Sequence, residues 1–98
     1  MRIITAKQLW EAKEQWPHSA KALDSGYRLI KSNRFTDFAA IRATFPAVDK
    51  VGSLHVVDIG GNKLRLIALV RYTTQKLFIR HVLDHREYDR GKWKEQSA

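Results

Sequence analysis

The sequence predicts an α+β fold in which an N-terminal helical hairpin packs on a small antiparallel sheet, followed by a short C-terminal helical turn. Apolar residues recur at helical spacing before residue 47 and alternate at strand spacing from residue 53, and turn signals separate the later segments. Helices first and strands second are typical of α+β architecture. We expect a single domain over residues 1–98, because a chain of this length supports one hydrophobic core.

The N-terminal residues predict an edge strand and then the first helix. Residues 2–4 are a short apolar start, and residues 5–8 match a capping box, in which Thr and Gln side chains satisfy the unpaired amides at a helix start. The helix is therefore expected to begin at Ala6. Pro17 disfavours helical geometry at the residue before it, so the helix should end at residue 15 or 16.

Two further helices follow before the pattern changes. The second is expected to start from His18 and Ser19 and to end at residues 32–33, which completes the hairpin. Thr36 is the expected cap of a shorter third helix, which Pro46 ends. The residues expected to face the core from these three helices are Leu9, Trp10, Ala12, Trp16, Ala20, Leu23, Tyr27, Ile30, Phe38, Ile41 and Phe45.

Three segments in the second half predict an antiparallel meander. Their sequences are SLHVVDI, KLRLIALVRY and KLFIRHVL, and turn signals at residues 60–62 and 73–75 join them. Residues 47–52 show no periodicity and are interpreted as a linker.

The middle strand has one apolar face and one mixed face, because side chains alternate along a strand. The core face holds Leu64, Leu66, Ala68 and Val70, whereas the mixed face holds Lys63, Arg65, Ile67, Leu69 and Arg71. The arginines of the mixed face must reach water or an anion, since burying an unpaired guanidinium is costly.

The face on which Arg80 lies depends on the length of the hairpin loop after the middle strand. An odd loop points Arg80 at the helices, and an even loop places it on the mixed face. We expect the even loop, since it keeps an arginine out of the core. The mixed face then gains Phe78, Arg80 and Val82, and the core gains Leu77, Ile79, His81 and Leu83.

The composition indicates a polyanionic partner. Eighteen Lys and Arg against ten Asp and Glu give a net charge of +8, which is typical of nucleic-acid-binding domains. A basic protein that is merely soluble, or that has an acidic partner subunit, is the alternative. The chain has no cysteine, which excludes disulfides and thiolate metal sites. It also has no signal peptide or membrane span, so we expect a cytoplasmic protein without a membrane partner.

Residues 84–88 place catalytic residue types next to the arginines. His85 and Tyr88 are three residues apart, so a helical turn capped by Asp84 would put their rings on one side. Histidine carries a proton near neutral pH, tyrosine can donate one, and Arg65 and Arg80 offer forked donors to a phosphate. RNA cleavage by internal transesterification needs this set and requires no metal or other cofactor.

Each of these polar residues also has a structural interpretation. His85 and Tyr88 can simply anchor a C-terminal turn, and His81 is interpreted as structural. His55 belongs either to a cross-strand hydrogen bond or to the site. The basic residues interpreted as a solvated tail are Arg86, Arg90, Lys92 and Lys94.

The second half of the chain resembles the HigB-type toxins of bacterial type II toxin–antitoxin systems, within the RelE/ParE superfamily. The family pattern combines a Gly-Asn turn, a Lys-Tyr-Arg-Leu-Ile strand, a Tyr-Ile-Arg strand and a Thr-His-x-Glu-Tyr-Asp segment. The matching residues here are Gly61-Asn62, Lys63-Leu64-Arg65-Leu66-Ile67, Phe78-Ile79-Arg80 and His85-Arg86-Glu87-Tyr88-Asp89.

The resemblance implies a RelE-like fold, ribosome-dependent cleavage of mRNA, and inhibition by a HigA-type helix-turn-helix antitoxin, through which alone the toxin reaches operator DNA. By position, the implied cleavage site is Arg65, Arg80, His85 and Tyr88. Lys63 and Lys92 are implied RNA contacts, and Arg71, on the mixed face, is a third candidate.

Three positions depart from the family pattern. Asp58 stands where the family often has Asn, Leu64 where Tyr is common, and Asp84 where Thr precedes the His. An acid at Asp58 or Asp84 can pair with an active-site arginine. Two other functions remain open: a toxin of the same superfamily that acts on another target, such as gyrase, and a non-catalytic basic module that binds RNA or the ribosome.

Overall fold

A computed structural model of the chain describes residues 1–61 and 63–95. The three predicted helices lie in the first half of the chain and the three predicted meander strands in the second half, as the apolar periodicity indicates. The helices are α1 (Lys7–Gln15), α2 (Ala20–Ser32), α3 (Phe38–Thr44), α4 (His85–Arg90) and α5 (Lys92–Glu95), with a 3-10 turn at Pro17–Ser19. The strands are β1 (Arg2–Ile4), β2 (Asp49–Val51), β3 (Leu54–Ile59), β4 (Leu64–Arg71) and β5 (Lys76–Asp84). Within the described ranges, no helix is long and apolar enough to cross a membrane.

The strands form one sheet in the order β1-β5-β4-β3-β2. The predicted meander is confirmed as β3, β4 and β5, which pair antiparallel, and the predicted edge strand β1 pairs parallel to β5. The linker prediction for residues 47–52 is wrong, because β2 lies there and pairs with β3, with Asp49 opposite Val56 and Val51 opposite Leu54. The α+β class is confirmed, but the sheet is mixed rather than purely antiparallel.

For α1 and α3, the sequence predicted where each helix ends better than which residue caps its start. Pro17 does end α1 at Gln15, but the capping box is wrong: α1 begins after Ala6 without a side-chain cap, and Thr5 instead donates to the Ile4 carbonyl. Thr36 does not cap α3. Asp37 does, because its carboxylate accepts a hydrogen bond of 2.9 Å from the Ala40 amide, three residues ahead.

The β3–β4 turn contains two glycines in the left-handed region, Gly60 with φ +63° and Gly61 with φ +60°. Such φ values strain a residue that has a Cβ, so glycine suits both positions. Asn62, the third residue of the predicted turn, lies outside the described residues.

The main core lies between the helices and one face of the sheet. Gly26 lets α2 approach β3 closely, since a Cβ there would lie 2.9 Å from Ile59 Cδ1. Trp16 and Phe45 pack against this core as partly buried residues, but the prediction for Trp10 is wrong, because this residue is 45% exposed. The residues that the sheet contributes are Val57, Ile59, Leu64, Leu66, Ala68, Leu77, Ile79 and Val82.

A β-bulge at Arg80 changes the alternation of β5. The four-residue loop between β4 and β5 is even, and Leu77 and Ile79 face the core as predicted. Ala68 pairs with Ile79 and Ile67 with His81, so Arg80 is the extra residue.

The bulge corrects the prediction for the residues that follow it. One extra residue shifts the pattern by one position, so Val82 joins the core and Leu83 packs on the mixed face. His81 follows Leu83 to that side, where both line one small pocket with Trp93. The core-face prediction is therefore wrong for His81 and Leu83, as is the mixed-face prediction for Val82.

The mixed face carries a second, smaller core that the sequence did not predict. Trp93, in the segment interpreted as a solvated tail, is only 2% exposed and packs with Leu54, Val56 and Ile67. Gly91, with φ +73°, ends α4 in the left-handed conformation and lets the chain turn into α5. The basic residues of this segment are exposed, as expected, while its tryptophan covers the sheet.

Candidate active site

Arg65 is fixed on the mixed face by an acid on the neighbouring strand. Arg65 and Asp58 are directly opposite in the β3–β4 pair, and Arg65 Nε lies 3.1 Å from Asp58 Oδ1, with side chains 17% and 23% exposed. The expectation that Asp58 pairs with an arginine is confirmed. Since the carboxylate engages Nε, the pair holds the guanidinium in place, and several of its N–H groups remain outside the salt bridge.

Tyr88 lies on the short helix that follows β5. Asp84 caps α4 as predicted, accepting a hydrogen bond of 2.8 Å from the Glu87 amide. The helix brings the Tyr88 ring centroid to 5.4 Å from Arg65 Cζ, within the range of a cation–π contact. Two of the four predicted catalytic side chains therefore lie together.

The environment of Tyr88 keeps its phenol protonated. Burial raises the pKa of Tyr88 above its usual value of 10.0, and the carboxylate of Asp49 raises this pKa further. Arg65 lowers the pKa, and Asp58 and Asp89 oppose that effect. At neutral pH the side chain is thus able to donate a proton.

Among the described residues, His85 and Arg80 share no hydrogen bond, ion pair or ring contact with this pair. His85 is the first residue of α4 and is exposed, one turn from Tyr88 as predicted. Arg80 is exposed at the bulge and lines an open cleft at one end of β3 and β4, with Leu54, Leu69 and Arg71 from the mixed face and His55 from the helix side. The structure therefore separates the predicted site into a fixed half and a solvent-facing half.

The candidate RNA contacts surround this face. Arg71 is exposed at the end of β4, and Lys50 lies in the same open cleft. Lys63 is exposed immediately before β4. Lys92 is exposed at the start of α5, beside the small pocket that His81 and Trp93 line.

His55 is structural and lies on the helix side of the sheet. It is 2% exposed, shares a hydrogen bond of 2.5 Å with the Tyr72 hydroxyl, and packs its ring near Phe38. Of the two interpretations left open by the sequence, the geometry supports the hydrogen bond. Burial, followed by the charge of Lys50, lowers the pKa of His55 below 6.5.

The lowered pKa of His55 makes stability depend on pH. The unfolded chain binds the His55 proton more readily than the folded protein does. The contribution of the neutral ring to the free energy of unfolding is therefore present above pH 6.5, and it is lost as the pH falls towards the lower pKa of His55 in the folded protein. We expect the free energy of unfolding in urea to fall between about pH 7.5 and about pH 5.5.

The variant His55→Gln should reduce this pH dependence, whereas His18→Gln, at an exposed position, should keep it in full. A residual slope is expected from His81, whose pKa burial and Arg80 also lower, and from the N-terminal amino group, whose pKa burial and Arg34 lower. An unchanged slope in His55→Gln would contradict this account.

The described residues contain no group of three His, Asp or Glu side chains that would hold a metal ion. The arrangement is instead suited to an anion: a fixed guanidinium beside a protonated phenol, with further cations at the rim of the same face. Such a set can bind a phosphate and protonate a leaving oxygen.

Sequence reasoning missed two neighbours of Tyr88, namely Trp93 and Asp49. Asp49 lies in the segment interpreted as a linker, so the sequence did not predict that β2 would bring its carboxylate close enough to raise the pKa of Tyr88. For Trp93 the sequence did contain a signal: Gly91 marks a helix end, and an apolar residue shortly after such a glycine often packs back on the helix.

Comparisons with known proteins found similar sequences over most of the chain. Residues 19–91 match the model of the HigB toxin family, described as the RelE-like toxic component of a toxin-antitoxin system. The chain is 36% identical over 93 residues to an mRNA interferase HigB of Escherichia coli O6:H1 strain CFT073, covering 92% of this chain and 90% of that protein. It is also 36% identical over 92 residues to the mRNA interferase toxin HigB of Escherichia coli K12, covering 91% and 88%.

Proposed function

The chain belongs to the HigB family of RelE-like toxins, and on that premise we propose that residues 1–98 form one toxin domain that cleaves mRNA on the ribosome by metal-independent transesterification. The observation that carries the proposed mechanism is the pairing of Arg65 with Tyr88. Together these side chains supply a fixed positive charge and a protonated phenol on one sheet face.

The reaction needs four events at one phosphodiester. The ribose 2′-hydroxyl attacks the adjacent phosphorus, the 2′-oxygen loses its proton, negative charge accumulates on the phosphorane, and the 5′-oxygen leaves and takes up a proton. The products are a 2′,3′-cyclic phosphate and a 5′-hydroxyl. Water and a metal ion take no part in this step.

We assign each event to a side chain. Arg65 stabilises the phosphorane, because Asp58 and the Tyr88 ring hold its guanidinium in place. Tyr88 protonates the 5′-oxygen, because its phenol is protonated at neutral pH and its ring lies beside the Arg65 guanidinium. His85 accepts the proton of the 2′-hydroxyl, and Arg80 binds a neighbouring phosphate.

The separation of Arg80 and His85 from the Arg65–Tyr88 pair supports dependence on the ribosome. Both are exposed, so nothing in the protein itself fixes them relative to Arg65 and Tyr88, and a bound RNA strand has to be presented to all four side chains. mRNA held by a ribosome supplies such a fixed path at no ordering cost to the toxin. Lys63, Arg71 and Lys92 would contact the flanking phosphates.

As a member of this family, the protein has a cognate antitoxin. We propose a HigA-type helix-turn-helix protein as that antitoxin, with operator DNA contacted only by the antitoxin complex. The proposed site of action is the cytoplasm, where translated mRNA is found.

Induced expression of the full chain in a bacterial host tests the proposal. We expect growth arrest, together with new mRNA 5′ ends in primer extension. The same transcript with a mutated start codon should remain uncut, because it is not translated. Uncut transcripts with damaged DNA would instead indicate a gyrase-directed toxin, and cleavage of both transcripts would contradict ribosome dependence.

His85→Ala should relieve the growth arrest, since a positioned proton acceptor contributes about 10²-fold or more in rate. Arg80→Ala should also relieve it, because the variant loses the forked donor to a neighbouring phosphate. Arg28→Ala, an exposed arginine on α2, serves as the control and should remain toxic. Folding of each variant is checked by urea denaturation. If both site variants stayed fully toxic, the assignment of these residues would be wrong.

The alternative of a non-catalytic RNA-binding protein makes a different prediction. The His85→Ala variant would then bind RNA as tightly as the unchanged protein, and the affinity of both for RNA would fall steeply with salt.

A further inference from the structure

Trp93 is the most buried of the described residues that follow β5, and nothing in the reaction above uses it. It is 2% exposed and packs on Leu54, Val56 and Ile67, in the centre of the mixed face. The residues on either side of it, Lys92 and Lys94, are exposed. One aromatic side chain therefore ties the basic C-terminal segment to the sheet.

Trp93 makes two direct contacts with Tyr88. The two rings are stacked, with centroids 5.2 Å apart and an interplanar angle of 14°. The indole Nε1–H also donates a hydrogen bond of 3.0 Å to the Tyr88 carbonyl. Trp93 thus holds both the ring and the backbone of the residue that contacts Arg65.

This support matters because α4 is too short to position Tyr88 by itself. The helix has six residues, and an isolated helix of that length is unstable in water. None of its residues is fully buried, so its orientation depends on what packs against it. The hydrogen bond and the ring stack from Trp93 supply that packing on the side of the proposed acid.

We propose that Trp93 is a positioning residue for cleavage: seated in the apolar cluster of the mixed face, it orients the Tyr88 phenol towards Arg65 and the leaving oxygen. This inference rests on the proposed role of Tyr88. Misplacing a catalytic group by about 1 Å can cost about 10²-fold in rate, so the loss of this support should lower the rate of the chemical step.

The test compares single-turnover cleavage of mRNA on programmed ribosomes by the purified full chain, at saturating toxin. Trp93→Leu keeps an apolar side chain but removes the stack and the N–H donor, and we expect its rate to fall by about 10-fold or more while the toxin concentration for half-saturation stays unchanged. Trp93→Phe retains the stack and should recover most of the rate. Val57→Ala, which loosens the main core on the other face of β3, is the control for a merely structural effect and should keep the normal rate.

A double variant separates this inference from the function on which it rests. If Trp93 acts through Tyr88, Trp93→Leu should cause no further loss of rate in a Tyr88→Phe background. Additive losses, or a Val57→Ala rate as low as that of Trp93→Leu, would overturn the positioning role while leaving the role of Tyr88 intact. Full activity of Tyr88→Phe alone would instead overturn the proposed acid.

Discussion

Replacing Arg65 by glutamine should lower the single-turnover rate of mRNA cleavage by about 10²- to 10³-fold, the loss typical of removing one preorganised group that stabilises transition-state charge. Arg65 is the cation that the protein itself holds in position, through the 3.1 Å salt bridge to Asp58 and the contact with the Tyr88 ring. Glutamine keeps hydrogen-bonding capacity but has no charge to offer the phosphorane.

Arg71→Gln is the matched control for this experiment. Arg71 lies on the same strand and the same face, but it is exposed and apart from Tyr88. We expect Arg71→Gln to lower the affinity for RNA and to make that affinity less dependent on salt, with little effect on the cleavage rate at saturating toxin. Equal rate losses in the two variants would mean that Arg65 contributes only general charge, which would contradict its assignment to the phosphorane.

Tyr88→Phe should lower the rate by about 10²-fold or more, because the leaving 5′-oxygen then has no proton donor. Phenylalanine preserves the ring, so the contacts with Trp93 and Arg65 survive and the fold should be unchanged. The raised pKa of Tyr88 also predicts a pH profile. The acid must be protonated to act, so loss of its proton should not reduce the rate until the pH exceeds the usual tyrosine value of 10.0.

Tyr27→Phe provides the comparison for Tyr88→Phe. Tyr27 lies on α2, where its ring contacts Trp10 on the helical side of the molecule. This variant should cleave at the normal rate. A Tyr88→Phe enzyme that matched it would show that the 5′-oxygen acquires its proton from another source.

The fixed half of the proposed site was predictable because it depends on local rules. Side-chain alternation along β4 placed Arg65 on the mixed face, and the acid at Asp58 suggested its partner. The helical turn that presents Tyr88 followed from Asp84 as a cap and from the three-residue spacing to His85. Each of these signals involves residues close in sequence or directly opposite in a hairpin.

The rest depends on contacts between distant residues. The bulge at Arg80 has no compositional signal, because any residue can be the extra one, yet it moves His81 and Leu83 from one face to the other. β2 forms because β3 offers it an edge rather than because of its own pattern. Trp93 stands among charged residues, and only the apolar patch of Leu54, Val56 and Ile67 explains its burial.

The chemical nature of the cut ends tests the central claim most directly. Fragments of mRNA from programmed ribosomes treated with the purified protein should carry 5′-hydroxyl ends, which an adaptor ligase that requires a 5′-phosphate joins only after treatment with a polynucleotide kinase. Transesterification by the Arg65–Tyr88 site predicts that result, with a 2′,3′-cyclic phosphate on the other fragment. Fragments that ligate without the kinase would carry 5′-phosphates, which would contradict the proposed mechanism.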